Sequence, residues 1–560
     1  MPLEKTIWER IWERLAAHPL LALAGTVSMQ TAFLLDERAL WFSDEVRYAN
    51  AYENMHRAGT WVVLSLNGMP YPDKPPIYFW FLALLDKITP LTPPDVFFLG
   101  AALSGLFFLW ATYGLGRAAR LSRDASLAGA LVVASCLFFA GILHYSRMDL
   151  LFGALIVASQ ACLLRGYDED AGKGPALAGF ALAGLAILVK GPLGLLFPLL
   201  SLAAYLGWRG ELRRLFSRRT LAGLGCAALV ASAWILAALV VEGPNFLHTV
   251  FVEQIFQRAT NTFHHKEGPL YYFAVLPATW LPWTLFMAAA PLGLLFKKNF
   301  WQEVLAGRRT TEPREQGRAW LWISTLSSFL LLSSLSGKVV IYVLPLFAPM
   351  ALLTAESLLR LEQKQRTRFA WAAAGFFALL GCALFLGNTF SPFPVHIAGL
   401  IPTGLVLLAM AALLVLLRHA QGRTLLLCLV LGTTLWIQTA ARLTVPSLDP
   451  VMSPKEQGQL LGQYAHKGYL PVAYDIYSGI YTYYAGVNLI EIPKHYEEVN
   501  ALLAEHPKVA VVMKKKHWDR WTDRPAGLVV VHEQYIADQP YILAIQGPTQ
   551  DLPDNITPTE

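Results

Sequence analysis

The feature that most limits what this chain can become is its density of long apolar runs. Stretches of about 18 or more apolar residues are long enough to span a bilayer. They occur near residues 18–40, 95–117, 125–145, 149–166, 174–190, 191–207, 220–242, 270–296, 318–336, 338–357, 369–388, 396–417 and 423–441. Composition agrees: 55% of residues are hydrophobic and only 15% charged, against about 45–50% and about 25% in soluble globular chains. That balance excludes a cytosolic enzyme, a disordered protein and a nucleic-acid binder. Seventeen Trp, 21 Tyr and 30 Phe suit the aromatic belts of bilayer interfaces. The expected architecture is a mostly α, polytopic membrane helical bundle of about 13 spans.

Orientation follows from where the cations fall, because cytoplasmic loops collect Lys and Arg. The basic clusters are Arg10/Arg14, Arg117/Arg120/Arg123, Arg209 with Arg213/Arg214/Arg218/Arg219, Lys297/Lys298 with Arg308/Arg309, Arg360 to Arg368, and Arg418/Arg423. Placing all of them inside requires a single crossing between residues 42 and 117. The apolar segment Pro76–Leu85 is then a short interfacial or re-entrant helix. The N-terminus falls inside and the C-terminus outside. Loops 42–75, 144–149, 243–269 and 336–338, and everything after about Leu443, share the outer face. The net charge of +6 is thus a topology signal. The first run reads as an uncleaved anchor. Cys136, Cys162, Cys226, Cys382 and Cys428 all lie in apolar runs and read as packing residues.

After Pro446 the pattern changes. Leu470–Tyr474, Val509–Met513, Leu528–Val531 and Tyr541–Ile545 have strand character, with a polar helix around Tyr496–Glu505. The expectation is two domains: 1–446 in the membrane and 447–560 as a small extracytoplasmic α/β domain, with a loose tail from Gly547.

The first outer loop carries the densest chemistry. Asp44-Glu45 is followed by Arg47 and Tyr48 on a helical pattern running to Arg57. The same loop ends in Tyr71-Pro72-Asp73-Lys74-Pro75-Pro76, where three prolines aim one acid and one base at the membrane surface. The plain alternatives are a charged interfacial helix with Ser43 near its N-cap and a snorkelling lysine.

These blocks, Asp44-Glu45-x-Arg47-Tyr48-Ala49 and Asn67-Gly68-x-Pro70-Tyr71-x-Asp73-Lys74-Pro75-Pro76, resemble the first outer loop of bacterial GT-C glycosyltransferases. The likeness is to the protein-mannosyltransferase-like branch that includes the lipid A aminoarabinose transferases. Ser146-Arg147-Met148-Asp149, Lys190-Gly191-Pro192, His265-x-x-Gly268-Pro269-x-Tyr271-Tyr272 and Ser336-Gly337-Lys338-x4-Val343-Leu344-Pro345 continue it in matching order over about residues 18–360. The family usually has Glu where Asp73 stands and Arg-Pro-Asp where Arg147-Met148-Asp149 stands.

The resemblance implies a GT-C fold and an inverting transfer of a sugar from an undecaprenyl-phosphate donor to a lipid A or other glycan acceptor. The setting it implies is the periplasmic face of a bacterial inner membrane. Asp44 and Asp149 are the expected catalytic carboxylates; a carboxylate at the membrane edge can orient or deprotonate an acceptor. Arg47, Lys74 and Lys338 are the expected cations for the leaving phosphate. Tyr48, Asp73, Arg147, His264, His265 and Tyr342 complete the expected substrate-binding set. Tyr342 stands four residues after Lys338, on one helix face with it. No cofactor is required by this reading, and a divalent cation on Asp73 and His265 stays an open alternative; adjacent histidines lack the spacing of a closed metal site. Tyr271, Tyr272, Trp280 and Trp283 read as interfacial belt residues, and Lys190 as a headgroup ligand or the mark of a turn. The chain is expected to act as a monomer among membrane lipids.

Other classes fit less well. Transfer to protein hydroxyls would need Asp44 as a true base. A transporter would bury ionisable groups mid-span and repeat its halves, and no repeat is seen. A catalytically dead lipid-binding scaffold is separable by the Asp44→Asn substitution.

Overall fold

Helix forms within the described part of each apolar run in a computed structural model that describes residues 6–33, 38–168, 172–257, 267–289, 310–391 and 393–548, with 298, 302 and 308 singly. Among the described residues, seven helices are long and apolar enough to cross a membrane. They are Asp95–Ala118, Asp149–Gly166, Lys173–Lys190, Arg218–Glu242, Val340–Leu358, Gln363–Thr389 and Gly422–Met452. An eighth results if Tyr271–Thr279 and Trp283–Ala289, bent by 103°, are one broken span; Pro282 lies at the break and cannot donate to a helix ladder. Leu193–Arg209 and Leu400–Leu416 are shorter apolar helices.

The remaining runs are interrupted for visible reasons. Pro19–Gln30 is a helix of 12 residues. Residues 125–145 divide into Arg123–Ala134 and Leu137–Ile142. Pro313–Ser334 carries Arg314, Glu315 and Arg318 in its first turns. The spans are therefore of unequal length. The helix Ile77–Ile88, with 12 residues, is about 18 Å long at 1.5 Å per residue, well short of a bilayer core. The apolar side chains Leu229, Leu236 and Val240 of Arg218–Glu242, and Leu379 and Leu386 of Gln363–Thr389, face outward, as in a lipid-exposed surface. This is a multi-pass membrane protein.

The two ends of the bundle differ in chemistry. At one end the basic clusters find acids on neighbouring elements. Arg120 pairs with Asp168 at 2.8 Å and Arg423 with Asp124 at 2.5 Å. Arg314, Arg318 and Arg360 surround Glu356. Thr6 and Glu9 close a capping box there, and Glu9 accepts from Gln421. At the other end lie the helix Asp44–Arg57 and a hairpin of β1 (Ser65–Leu66) and β2 (Met69–Pro70). Its two-residue turn, Asn67-Gly68, has φ of 51° and 80°, the pair of positive φ values for which Asn-Gly is favoured.

The helical run ending at Met452 continues past Pro446. A helix Lys455–His466 then leads into β3 (Leu470–Tyr474), β4 (Ile490–Ile492), β5 (Val509–Lys514), β6 (Val529–Ile536) and β7 (Gln539–Gln546). The sheet order is β4-β3-β5-β7-β6. β3 pairs in parallel with β4 and β5, while β7 is antiparallel to β5 and β6. Alternation along β5 explains the two layers. Val509, Val511 and Met513 pack with Val499, Leu503 and Trp521 on one face. Ala510 and Val512 face the core shared with Leu461 and the membrane bundle. A strand buried on both faces reads as a continuous apolar run, as this one does. The helix Tyr496–Glu505 lies where the sequence places it. Helix Lys455–His466 and strand β4 were not anticipated.

The expected aromatic belt is corrected by the packing. Tyr272, Trp280 and Trp283 are buried among helices, and Trp283 stacks on Phe369 at 5.6 Å. Their runs are apolar on every side, so interior and interface positions look alike in sequence. Cys136 and Cys428 are buried, Cys162 and Cys226 partly so, and Cys382 is exposed, all five as free thiols.

Candidate active site

Asp44 opens the helix Asp44–Arg57, whose first turn is acidic and last turn basic, in accord with the helix dipole. Ser43 makes no side-chain cap; the Asp44 carboxylate is taken up by arginines instead. Arg147 Nη2 lies 2.7 Å from Asp44 Oδ2, and Arg47 Nη1 lies 3.6 Å from Asp44 Oδ1, one turn along the same helix. The other edge of Arg147 faces inward, with Nε 3.2 Å from Asp149 Oδ2. Asp149 also pairs with Lys190, whose ammonium sits 4.5 Å from the centroid of the Tyr342 ring. One ladder of alternating charge, Arg47–Asp44–Arg147–Asp149–Lys190, thus connects the first loop, the 144–149 loop and the turn after Lys190.

Burial grades along this ladder. The Asp44 and Arg147 side chains are 21% and 18% exposed, the Asp149 side chain only 3%. The open end is therefore at Asp44. Burial pushes the Asp44 carboxyl upward, but Arg147, Arg47 and Lys74 outweigh it and hold the group below its ordinary value of 3.8. Lys74 is thus electrostatically part of the site, and Asp73 acts on Arg47 in the same way. The set Arg47, Lys74, Arg147 and Lys190 against Asp44, Asp73 and Asp149 carries one surplus positive charge, which suits a phosphate.

Glu45, the neighbour of Asp44, is turned away. Adjacent helix residues point about 100° apart, and Glu45 forms a bidentate pair with Arg38 at 2.7 and 2.6 Å. It also accepts from the backbone N–H groups of Trp41 and Ser146 at 2.8 and 2.5 Å. Glu45 is an anchor for the loop, not a reacting group.

Several expected residues sit elsewhere. Lys338 is buried and donates to the Glu267 and Leu335 carbonyls, apart from the ladder. Tyr342 belongs to a short 3-10 turn, Val340–Val343, that begins after Lys338. Its ring faces Lys190, so the expected shared helix face with Lys338 does not form. Tyr48 is buried, with its ring edge-on to Tyr78 and Phe79; it is a packing residue whose hydroxyl end feels Asp44 and Arg147. His264 and His265 lie outside the described residues. Among the described residues no group of three or more His, Cys, Asp or Glu could hold a metal ion.

Sequence reasoning missed the clasp between this loop and the C-terminal sheet. Asn67 donates to the Leu489 carbonyl at 2.8 Å and accepts from the Leu489 N–H at 2.8 Å and the Thr482 hydroxyl at 3.1 Å. Asp449 accepts from the Ala39 N–H and the Trp41 indole, each at 2.7 Å. The Asn-Gly pair was the available signal for the hairpin; its partner, more than four hundred residues on, left none.

The description "Dolichyl-phosphate-mannose-protein mannosyltransferase" matches residues 73–236, a stretch that holds Lys74, Arg147, Asp149 and Lys190. That stretch of the chain is similar to that family. The matched stretch begins at Asp73, so Asp44 and Arg47 precede it. Among curated relatives, an undecaprenyl phosphate-α-4-amino-4-deoxy-L-arabinose arabinosyl transferase of Aeromonas salmonicida is 31% identical over 64% of this chain and 64% of its own. The transferase of that name from Pseudomonas paraeruginosa is 31% identical over 68% and 62%. The chain spans just under two thirds of the length of these relatives. The crystal structure of ArnT from Cupriavidus metallidurans bound to undecaprenyl phosphate superposes with a TM-score of 0.74 at 19% identity, over 95% of this chain and 99% of that one. The helical bundle and the C-terminal sheet therefore share the fold of that structure.

Proposed function

We propose that this protein transfers a sugar, 4-amino-4-deoxy-L-arabinose, from undecaprenyl phosphate to a lipid A phosphate at the periplasmic face of a bacterial inner membrane. The observation that carries the reading is the Asp44–Arg147–Asp149 ladder with Lys74 beside it, open at Asp44 and positive by one charge. The relatives' names carry the same donor, undecaprenyl phosphate-α-4-amino-4-deoxy-L-arabinose, and the chain shares the fold of an ArnT solved with undecaprenyl phosphate bound. The orientation rests on the basic clusters at the opposite end of the bundle.

In this reaction the bond between the anomeric carbon and the donor phosphate oxygen breaks, and undecaprenyl phosphate leaves with the electron pair. An acceptor phosphate oxygen forms the new bond from the opposite side. Lys74 and Arg47 meet the charge that develops on the leaving phosphate; fixed cations do this without reorganising. Asp44 holds the sugar or acceptor at the open end. An ionised acceptor phosphate needs little help from a base, which suits a carboxylate of lowered pKa. Arg147, Asp149 and Lys190 keep Asp44 in place. The residue ranges 1–446 and 447–560 are the proposed catalytic and accessory domains.

Mass spectrometry of lipid A from cells with and without the gene tests the proposal. The expected result is a pentosamine on lipid A phosphate that disappears with the gene. Unchanged lipid A overturns it. A sugar on protein hydroxyls instead would favour the activity named by the family description.

A further inference from the structure

The C-terminal sheet reaches into this site at a particular place. β3 lies between two parallel neighbours, so the chain leaves it sideways to β4 and later returns on its other flank at β5. The carboxyl ends of strands at such a reversal form the crevice where open α/β sheets place their ligands. Here the segment leaving β3, Asp475–Gly479, lies on Arg47. Arg47 Nε donates to the Ser478 carbonyl at 2.9 Å. Its guanidinium carbon is 3.8 Å from the centroid of the Tyr477 ring and 5.5 Å from that of Tyr71. The Arg47 side chain is 5% exposed, whereas Tyr477 is 46% exposed: the tyrosine is the cover and the arginine is what it covers.

The segment is itself held on both sides. Gly479 has φ +78°, and a Cβ there would lie 2.5 Å from Leu66 Cδ1 of the β1 strand. Its N–H donates to Glu491 Oε1 of β4 at 3.2 Å. Arg47 therefore has one nitrogen and one ring face fixed by the C-terminal domain, while Nη1 remains directed at Asp44.

We infer that the C-terminal domain completes the active site, with Tyr477 and the Ser478 carbonyl as positioning groups that hold Arg47 beside Asp44. The inference rests on the proposed transferase reading. A guanidinium locked in one orientation stabilises developing charge better than a mobile one, and an aromatic face against it adds attraction without using a donor.

The test uses the full chain in proteoliposomes with an undecaprenyl-phosphate-linked sugar and lipid A. Tyr477→Ala is expected to lower kcat per folded molecule about tenfold with donor KM within about twofold, because the charge on Arg47 remains but its orientation is lost. Tyr477→Phe keeps the ring and is expected within about twofold of wild type. Gly479→Ala, which displaces the segment by another route, is expected to resemble Tyr477→Ala. Wild-type kcat in Tyr477→Ala overturns the inference, as does equal loss in Tyr477→Phe. A loss confined to the yield of folded protein overturns it too. Phenylglyoxal labelling of Arg47, read by peptide mass spectrometry, needs no turnover. It should rise several-fold in Tyr477→Ala and not in Tyr477→Phe; unchanged labelling overturns the inference. If wild type transfers no sugar yet the labelling responds, the transferase reading fails and the positioning contact stands.

Discussion

Asp44 and Asp149 share one guanidinium: Arg147 Nη2 is 2.7 Å from Asp44 Oδ2, and Arg147 Nε is 3.2 Å from Asp149 Oδ2. Two carboxylates from different loops are thereby fixed relative to each other, and substitutions along the ladder should have separable effects.

Asp44→Asn should abolish most transfer, lowering kcat about a hundredfold through lost positioning of the sugar or acceptor, while the protein still folds because Arg147 keeps Asp149. Radiolabelled sugar transfer in a purified assay checks this. The folded-state pKa of Asp44 lies below its ordinary 3.8. Its contribution to stability is thus complete above that value and is lost as pH falls through the lower folded value. Activity that depends on the carboxylate should show no acid limb from Asp44 between about pH 5 and 7.

Arg147→Lys should not be a conservative change. A lysine carries one point charge, whereas Arg147 meets two carboxylates through two edges of a planar fork. Expected is a fall in kcat of about tenfold or more, with one carboxylate released. Steady-state kinetics beside Arg147→Met would show whether charge or geometry matters more.

Lys190→Met should act on stability. It leaves the buried Asp149 with Arg147 as its remaining ion-pair partner among the described residues, and breaking a buried pair costs on the order of 3 kcal/mol. The melting temperature in detergent should drop, and Asp149→Asn in the same chain should restore part of it. Additive losses in the double variant would show that the two side chains do not act as a pair.

Asn67→Ala should loosen the C-terminal sheet from the first loop. Three hydrogen bonds to Leu489 and Thr482 are lost, and alanine tolerates a φ of 51° poorly. The combined cost is about 2–3 kcal/mol. Hydrogen exchange should report it as faster exchange at the Leu489 amide, with the membrane helices unchanged. Asn67→Gly, which relieves the φ strain but not the lost bonds, should recover about 1 kcal/mol.

Much of this was readable in the sequence. Hydropathy placed the helices, because burying about 18 apolar residues in lipid leaves few other structures open. Short β-rich apolar runs placed β3, β5 and β7. Asp44, Arg47, Lys74, Arg147 and Asp149 stood out as charges at one end of otherwise apolar spans. Adjacency says little about partners: Asp44 and Glu45 are neighbours, yet the helix sends the two side chains to different cations, Arg147 and Arg38. Lys338 and Tyr342 failed as a pair for a similar reason, since their spacing assumed a helix that begins only after Lys338.

By itself, then, the sequence determined the bundle, the gathering of its basic clusters away from the first loop, and the group of residues from which a site would be built. Those follow from local quantities, hydropathy and charge, summed along the chain. Only the tertiary structure decided which cation meets which carboxylate, that Lys190 belongs to Asp149, and that Tyr477 covers Arg47. Contacts between residues hundreds of positions apart depend on how helices and loops are brought together, and no periodicity along one chain records that.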